Sequence, residues 1–372
     1  MAGLSLEELR YLLLQAYNEP KQTEKITPED LDDWAGQNYK DESIDVMNFL
    51  NSLASDENTY ESRIGEYPLR LAFEKLDAAL PNEFSYNGMI FKKPRQVDIA
   101  LFDATSWAAS VVETQGKDVL IRINSGLLLA ANKIVSMMAK IASFVINGDW
   151  KLQNIEKHLL DSPLILKLLE CFTSYVFVEG ISLLSDRLYP RWGVCTIDNE
   201  TEFEINTSLM LSFLSFIVAH ELSHVMLNHF SDEHTLEKEC AADELAVFVL
   251  NHFMGISGFE GAMLALNIAN IIEEAQKING TYVAKTHPPT MQRLNMVLYN
   301  LLSKTPSERH INAVILGGVF AVYWETLDEF IDFLKSKGVY LDAESIKAEG
   351  SYSALLKRIY DLDGFCEYLL CK

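Results

Sequence analysis

Residues 205–247 read INTSLMLSFLSFIVAHELSHVMLNHFSDEHTLEKECAADELAV, and the rest of the chain is understood through this stretch. It opens as an apolar run, reaches His220-Glu221-Leu222-Ser223-His224, passes a short polar turn and resumes a helical pattern at Leu236. On an α-helix, residues four apart stand one turn above each other on one face, so both imidazoles can reach a single metal ion. A zinc ion held by two histidines needs a third protein ligand, commonly a glutamate from the next helix. Glu239 lies one turn into that helix. Asp243 follows one turn later on the same face, where it can accept the outer N–H of a ligand histidine and fix its tautomer. Glu221 falls about 100° round the helix from His220. That is beside the metal but off the histidine face, suited to taking a proton from a metal-bound water.

Neighbouring histidines compete as ligands. His229, five residues past His224, would lie roughly 140° round a continued helix and point elsewhere. His234 sits in the turn and could approach, but Phe230 occupies the place of the third histidine in the longer His-x-x-Gly-x-x-His arrangement. Glu239 is therefore the expected third ligand. His158 reads as a surface residue, and His252 as a packed or surface one. The apolar character of Leu209–Ala219, nearly all round, predicts a central buried helix capped by Asn206 or Thr207. Further on, Pro288-Pro289 stiffens the loop that carries His287, and Thr290 caps a helix with Arg293 in its first turn. Either this segment anchors a loop on the core, or His287, Arg293 or Tyr282 donates to an oxyanion formed at an attacked carbonyl.

These residues carry a resemblance. Glu239-x-x-x-Asp243 after His220-Glu-x-x-His224 is the pattern of gluzincin metallopeptidases, and Thr286-His-Pro-Pro-Thr290 with Arg293 is similar to a segment of the M48 metallopeptidases. Through His220–His229, Glu239-x-x-Ala242-Asp243, Ala265-Leu-Asn-Ile-Ala269 and Thr286-His-Pro with Arg293, the chain resembles the phage-exclusion peptidases of the Lit type. The likeness spans about residues 205–300. It implies a zinc endopeptidase with His220, His224 and Glu239 as ligands and Glu221 as base. Asp243 and Arg293 would support the ligands, and His287 would be a second catalytic candidate near the site. The fold implied is a zincin-like core with a small β-sheet over the active-site helix. The biology implied is a dormant intracellular protease of phage defence, triggered during infection by an activating partner or phage product, that cuts a host translation protein. The M48 side of the likeness implies a housekeeping peptidase of damaged proteins instead. A non-catalytic module that keeps zinc as a structural element is the third reading. An intact Glu221 argues against it, because a structural site has no use for a base and normally closes with four protein ligands.

The remaining sequence bounds these readings. A chain of 372 residues, 49% hydrophobic, can bury a large core. Its net charge of −22 argues against nucleic acid, whose phosphates it would repel. Five scattered cysteines without a Cys-x-x-Cys pair fit reduced thiols in a cytoplasm, and Cys240 reads as a small core residue. The start lacks the basic and apolar parts of a signal peptide, and Lys133 and Lys140 interrupt the apolar segment at 126–146. No transmembrane segment is expected, a departure from the membrane-embedded M48 enzymes.

The expected fold class is α+β, predominantly helical. Residues 1–95 form an acidic helical region, with 13 acidic against 4 basic side chains in the first 60 residues. Residues 96–310 form the peptidase core and 311–372 a helical cap. Phe84–Phe91 with Asn87-Gly88 predicts a hairpin. Val97–Phe102, Ser110–Thr114 and Asp118–Asn124 predict strands, and Leu127–Ile146 a helix. Asp118–Asn124 is the candidate for a sheet edge that pairs with extended substrate.

Overall fold

The computed structural model describes residues 60–94, 97–102, 109–113, 119–154, 199–229, 235–279, 289–302 and 311–336. The helices expected before residue 60 and after 350, and His158, His234, Tyr282 and His287, lie outside them. In order come α1 (Tyr60–Ala79), β1 (Glu83–Tyr86), β2 (Met89–Lys92), β3 (Val97–Phe102), β4 (Ala109–Glu113), β5 (Val119–Asn124) and α2 (Ser125–Ile146). Then follow α3 (Glu200–Met226), α4 (Leu236–Val249) with a π-helical extension Leu250–Met254, α5 (Gly258–Asn279), α6 (Thr290–Leu302) and α7 (Ile311–Ser336). The expected class, α+β and predominantly helical, is the observed one.

The expected Asn87-Gly88 hairpin is present. Both turn residues have positive φ, 49° and 79°, the backbone sense that matches the twist of paired strands. Phe84 pairs with Phe91 across the ladder, and the two rings stack at 5.5 Å. Phe84 also meets Phe253 edge-on at 5.2 Å, which fastens the hairpin to the end of α4.

The three longer strands form one sheet in the order β3-β5-β4, with β3 parallel and β4 antiparallel to β5. This corrects the assignment of the substrate edge. β5 is the central strand, with both ladders occupied, and its four central and terminal apolar residues are fully buried. Alternation in 118–124 marks a strand, but it does not tell an edge from the middle; β5 is the middle strand because it has a hydrogen-bonded partner on each side. Among the described residues β4 is the free edge on that side, and β4 and β5 both lie against α3.

α3 is the central element, packed by α1, α2, α4 and α5. Its apolar residues are distributed all round, as a helix with neighbours on every side requires. It begins seven residues before the expected cap. The Asn199 side chain caps the helix, its Oδ1 accepting the Glu202 N–H at 3.0 Å and its Nδ2 donating to the Glu202 carboxylate at 3.1 Å. Asn206 is instead buried inside the helix and accepts from the Ser136 hydroxyl of α2 at 3.2 Å. The Asn-x-x-Glu spacing at 199–202 was the signal for the true start.

Gly261 sets how closely α5 approaches α3. A Cβ at this position would lie 2.3 Å from the Ser212 carbonyl oxygen and 2.7 Å from the Phe216 Cβ. Because the first obstacle is backbone, no rotamer change relieves it. Gly261→Ala is expected to destabilise the fold by about 3 kcal/mol, measurable by denaturant unfolding.

By length and composition alone two helices, Gly126–Ile146 and Glu200–Met226, could cross a membrane. However, 69% and 72% of their apolar windows are buried against the rest of the chain, as core helices are. α1, the hairpin, α2–α5 and α7 all contribute to one hydrophobic cluster.

Candidate metal centre

His220 and His224 leave the buried face of α3 toward α4, their rings edge-to-face at 4.7 Å. Their Nε2 atoms lie 3.1 Å apart. Thr235 starts α4 by accepting the Lys238 N–H at 3.3 Å, which sets Glu239 in the first turn. The Glu239 carboxylate straddles the pair, Oε2 at 3.4 Å from His220 Nε2 and Oε1 at 3.5 Å from His224 Nε2. A tetrahedral ion with ligands at about 2.0–2.1 Å has ligand–ligand edges of roughly 3.3 Å. Two basic nitrogens and a carboxylate at these separations have the spacing of ligand atoms around one ion. The three residues could hold a metal ion.

Behind the three candidate ligands lies a second set of buried charged groups. Asp243 is fully buried and places Oδ1 2.8 Å from His220 Nδ1, an ion-pair contact bent away from ideal hydrogen-bond geometry. Arg293 reaches across from α6 and donates from Nε to Asp243 Oδ2 at 2.9 Å and from Nη2 to Oδ1 at 2.8 Å. Its Nη1 lies 3.0 Å from Glu239 Oε2. α6 is itself seated by Glu273, which accepts the Thr290 N–H at 2.8 Å and pairs with Lys277 at 2.9 Å. With Nε, Nη1 and Nη2 all turned to carboxylates, Arg293 ties Asp243 and Glu239 of α4 to α6.

Charge follows from this packing. Burial opposes ionisation of Glu239 and Asp243, but contact with His220, with His224 for Glu239, and with Arg293 outweighs it and holds both carboxyls well below the usual range. For His220, burial works against the cation, yet Asp243 and Glu239 push its pKa up to about 10. Glu221 shifts the other way. It is buried, and desolvation raises its pKa despite the nearby His220 and His224. That suits a group that must both accept and release a proton.

A metal ion held by these residues would compete with a proton for His220. Since metal binding requires the free nitrogen, loading near neutral pH is expected to release about one proton, and affinity to rise about tenfold per pH unit between roughly pH 7 and 9. Calorimetry in buffers of different ionisation heat counts that proton. A loading enthalpy independent of the buffer contradicts the raised pKa.

Of the residues expected at the site, the structure brings together His220, His224, Glu239, Asp243 and Arg293, with Glu221 buried beside them on α3. His229 was expected to point elsewhere. Its Nδ1 lies 3.3 Å from Nδ1 of His224, because α3 stops at Met226 and Asn228, at φ 58°, turns the chain back. Helical angles do not extend past a helix end, and Asn in the left-handed position was the available signal. Cys240 is buried, its Sγ 3.4 Å from Met296 Sδ, with its pKa pushed up to about 11 by burial and by Asp243. It is a packing residue, not a reactive thiolate. His252 stacks on Phe248 at 5.1 Å.

Residues 186–314, about a third of the chain, match the family model of Peptidase U49. The matched segment contains every residue of this cluster. The match supports a peptidase. No match was found among curated proteins or solved structures.

Proposed function

We propose that the chain is a zinc-dependent endopeptidase. The observation that carries this reading is the triangle of His220, His224 and Glu239 ligand atoms, with edges of 3.1, 3.4 and 3.5 Å, set beside a buried glutamate whose pKa is raised. Nitrogen, nitrogen and carboxylate oxygen in a three-residue set leave one tetrahedral position for solvent, the arrangement of catalytic rather than structural zinc. Zinc bound there would supply an acidified water and a Lewis acid for the peptide carbonyl. Glu221 takes the proton of the attacking water and returns it to the leaving amine. Asp243 orients His220, and Arg293 keeps Asp243 and Glu239 together. The edge of β4 that has no partner among the described residues pairs with an extended substrate backbone, and His287 is the candidate donor to the oxyanion. A binding module with structural zinc would have no role for an acid–base glutamate buried beside an open ligand set.

The resemblance to phage-exclusion peptidases supports a further step. The enzyme acts in the cytoplasm, stays dormant until a phage-derived trigger or partner engages it, and cuts a host translation protein. The test compares proteomes of cells expressing the natural chain or Glu221→Gln, with and without phage infection. A new fragment found only with the natural chain in infected cells supports the defence role. Broad hydrolysis of unfolded casein without a trigger supports housekeeping instead. Dialysis against a chelator should abolish cleavage and zinc should restore it; cleavage that survives complete metal removal rejects the zinc mechanism.

A further inference from the structure

We propose that His229 is a positioning residue for the metal centre, holding His224 in the tautomer and orientation that ligation requires. This rests on the metal reading above. The reasoning begins at the end of α3, where Leu227 closes the helix and Asn228 enters the left-handed region at φ 58°, a conformation that Asn tolerates better than other side-chain-bearing residues. The Asn228 N–H donates to the Val225 carbonyl at 3.1 Å, and the His229 N–H to the His224 carbonyl at 2.8 Å. These are the two bonds of a Schellman motif, which always ties the residue after the left-handed one to the residue five before it. Here that earlier residue is a metal ligand.

A hydrophobic contact usually joins those two positions. In this chain two imidazoles join them, with ring centroids 5.5 Å apart and Nδ1 atoms 3.3 Å apart. Two ring nitrogens at that distance need one proton between them. His224 Nε2 faces His220 Nε2 at 3.1 Å and Glu239 at 3.5 Å, so its lone pair belongs to the metal. A neutral imidazole with a free Nε2 carries its proton on Nδ1. His224 therefore donates from Nδ1, His229 accepts on Nδ1, and His229 keeps its own proton on Nε2. His229 thus does for His224 what Asp243 does for His220, and the helix stop supplies the geometry.

The test uses the full chain with the metal removed, titrated with Co²⁺ and with Zn²⁺ against a competing chelator. His229→Leu keeps the apolar contact that a Schellman motif favours but cannot accept a hydrogen bond. His229→Asn places an Oδ1 acceptor where Nδ1 was. His229→Leu is expected to weaken metal binding by about 10- to 100-fold and shift the visible bands of the cobalt form, with the melting temperature of the metal-free protein unchanged. His229→Asn should recover most of the affinity and the natural cobalt spectrum. A Leu variant with natural affinity and spectrum overturns the inference alone. A natural chain that takes up neither ion overturns the metal reading, and this inference with it.

Discussion

Glu221→Gln is expected to leave metal affinity within a few-fold of the natural chain and to lower kcat by about 10³-fold or more. Gln has the shape of Glu but cannot take a proton from water, so the variant removes one chemical property and little else. Stability supplies an independent check on the metal-free protein. An acid whose pKa is raised on folding favours its protonated form, so it costs stability once pH climbs above the unfolded value near 4.5. The amide has no such cost. Relative to the natural chain, Glu221→Gln should therefore gain stability as pH rises above that value and show no gain below it. Denaturant unfolding at acid and neutral pH measures the difference. Near-normal turnover in the variant would sink the acid–base assignment, whatever the stability showed.

How far the sequence carried the reading differs by element. The candidate ligand cluster was legible because helix geometry is rigid: about four residues make one turn, and that alone puts His220 with His224, and Glu239 with Asp243. The hairpin was legible because Asn87-Gly88 demands a particular backbone. What escaped was set by contacts distant in sequence or by where a helix stops. Arg293 is reached through the resemblance and not through its contact with Asp243, since fifty residues separate the two and no spacing rule links them. The middle place of β5 depends on which strands pair with it, and alternation within one strand carries no record of that. The starting point of α3 was misplaced because Asn206-Thr207 is as good a cap locally as Asn199. Burial against α2 decides between them. The contact of His229 with His224 needs the turn at Asn228, which appears only once the helix end is known.

Arg293→Met is expected to be the most destabilising single change at the site. Asp243 is fully buried and Glu239 nearly so, and the guanidinium contacts both, at 2.8–2.9 Å and 3.0 Å. Removing one partner of a buried ion pair strands the other charge, at a cost of about 3–5 kcal/mol. In a chain of 372 residues that lowers the melting temperature by about 4–6 °C. The loss should be greatest without metal, because a bound divalent cation gives both carboxylates a second positive partner, Glu239 directly and Asp243 through His220. Zinc should therefore raise the melting temperature more in the variant than in the natural chain. The pH dependence gives a second signature. Asp243, with its pKa depressed, contributes stability that is present above its unfolded value and lost as pH falls. His220, raised to about 10, contributes stability that is full below its unfolded value and lost as pH rises through that range. Without Arg293 the depression at Asp243 shrinks, so the acid loss should still begin at the unfolded value but be smaller and end at a higher pH. The alkaline limb belongs to His220 and should persist, since Asp243 still faces it. Arg293→Lys keeps a charge but not the two-pronged fork, and should fall between the natural chain and Arg293→Met. If the metal-free Arg293→Met protein melts with the natural chain, α4 and α6 are held together by apolar packing, and the clamp has no part in shaping the ligand triangle.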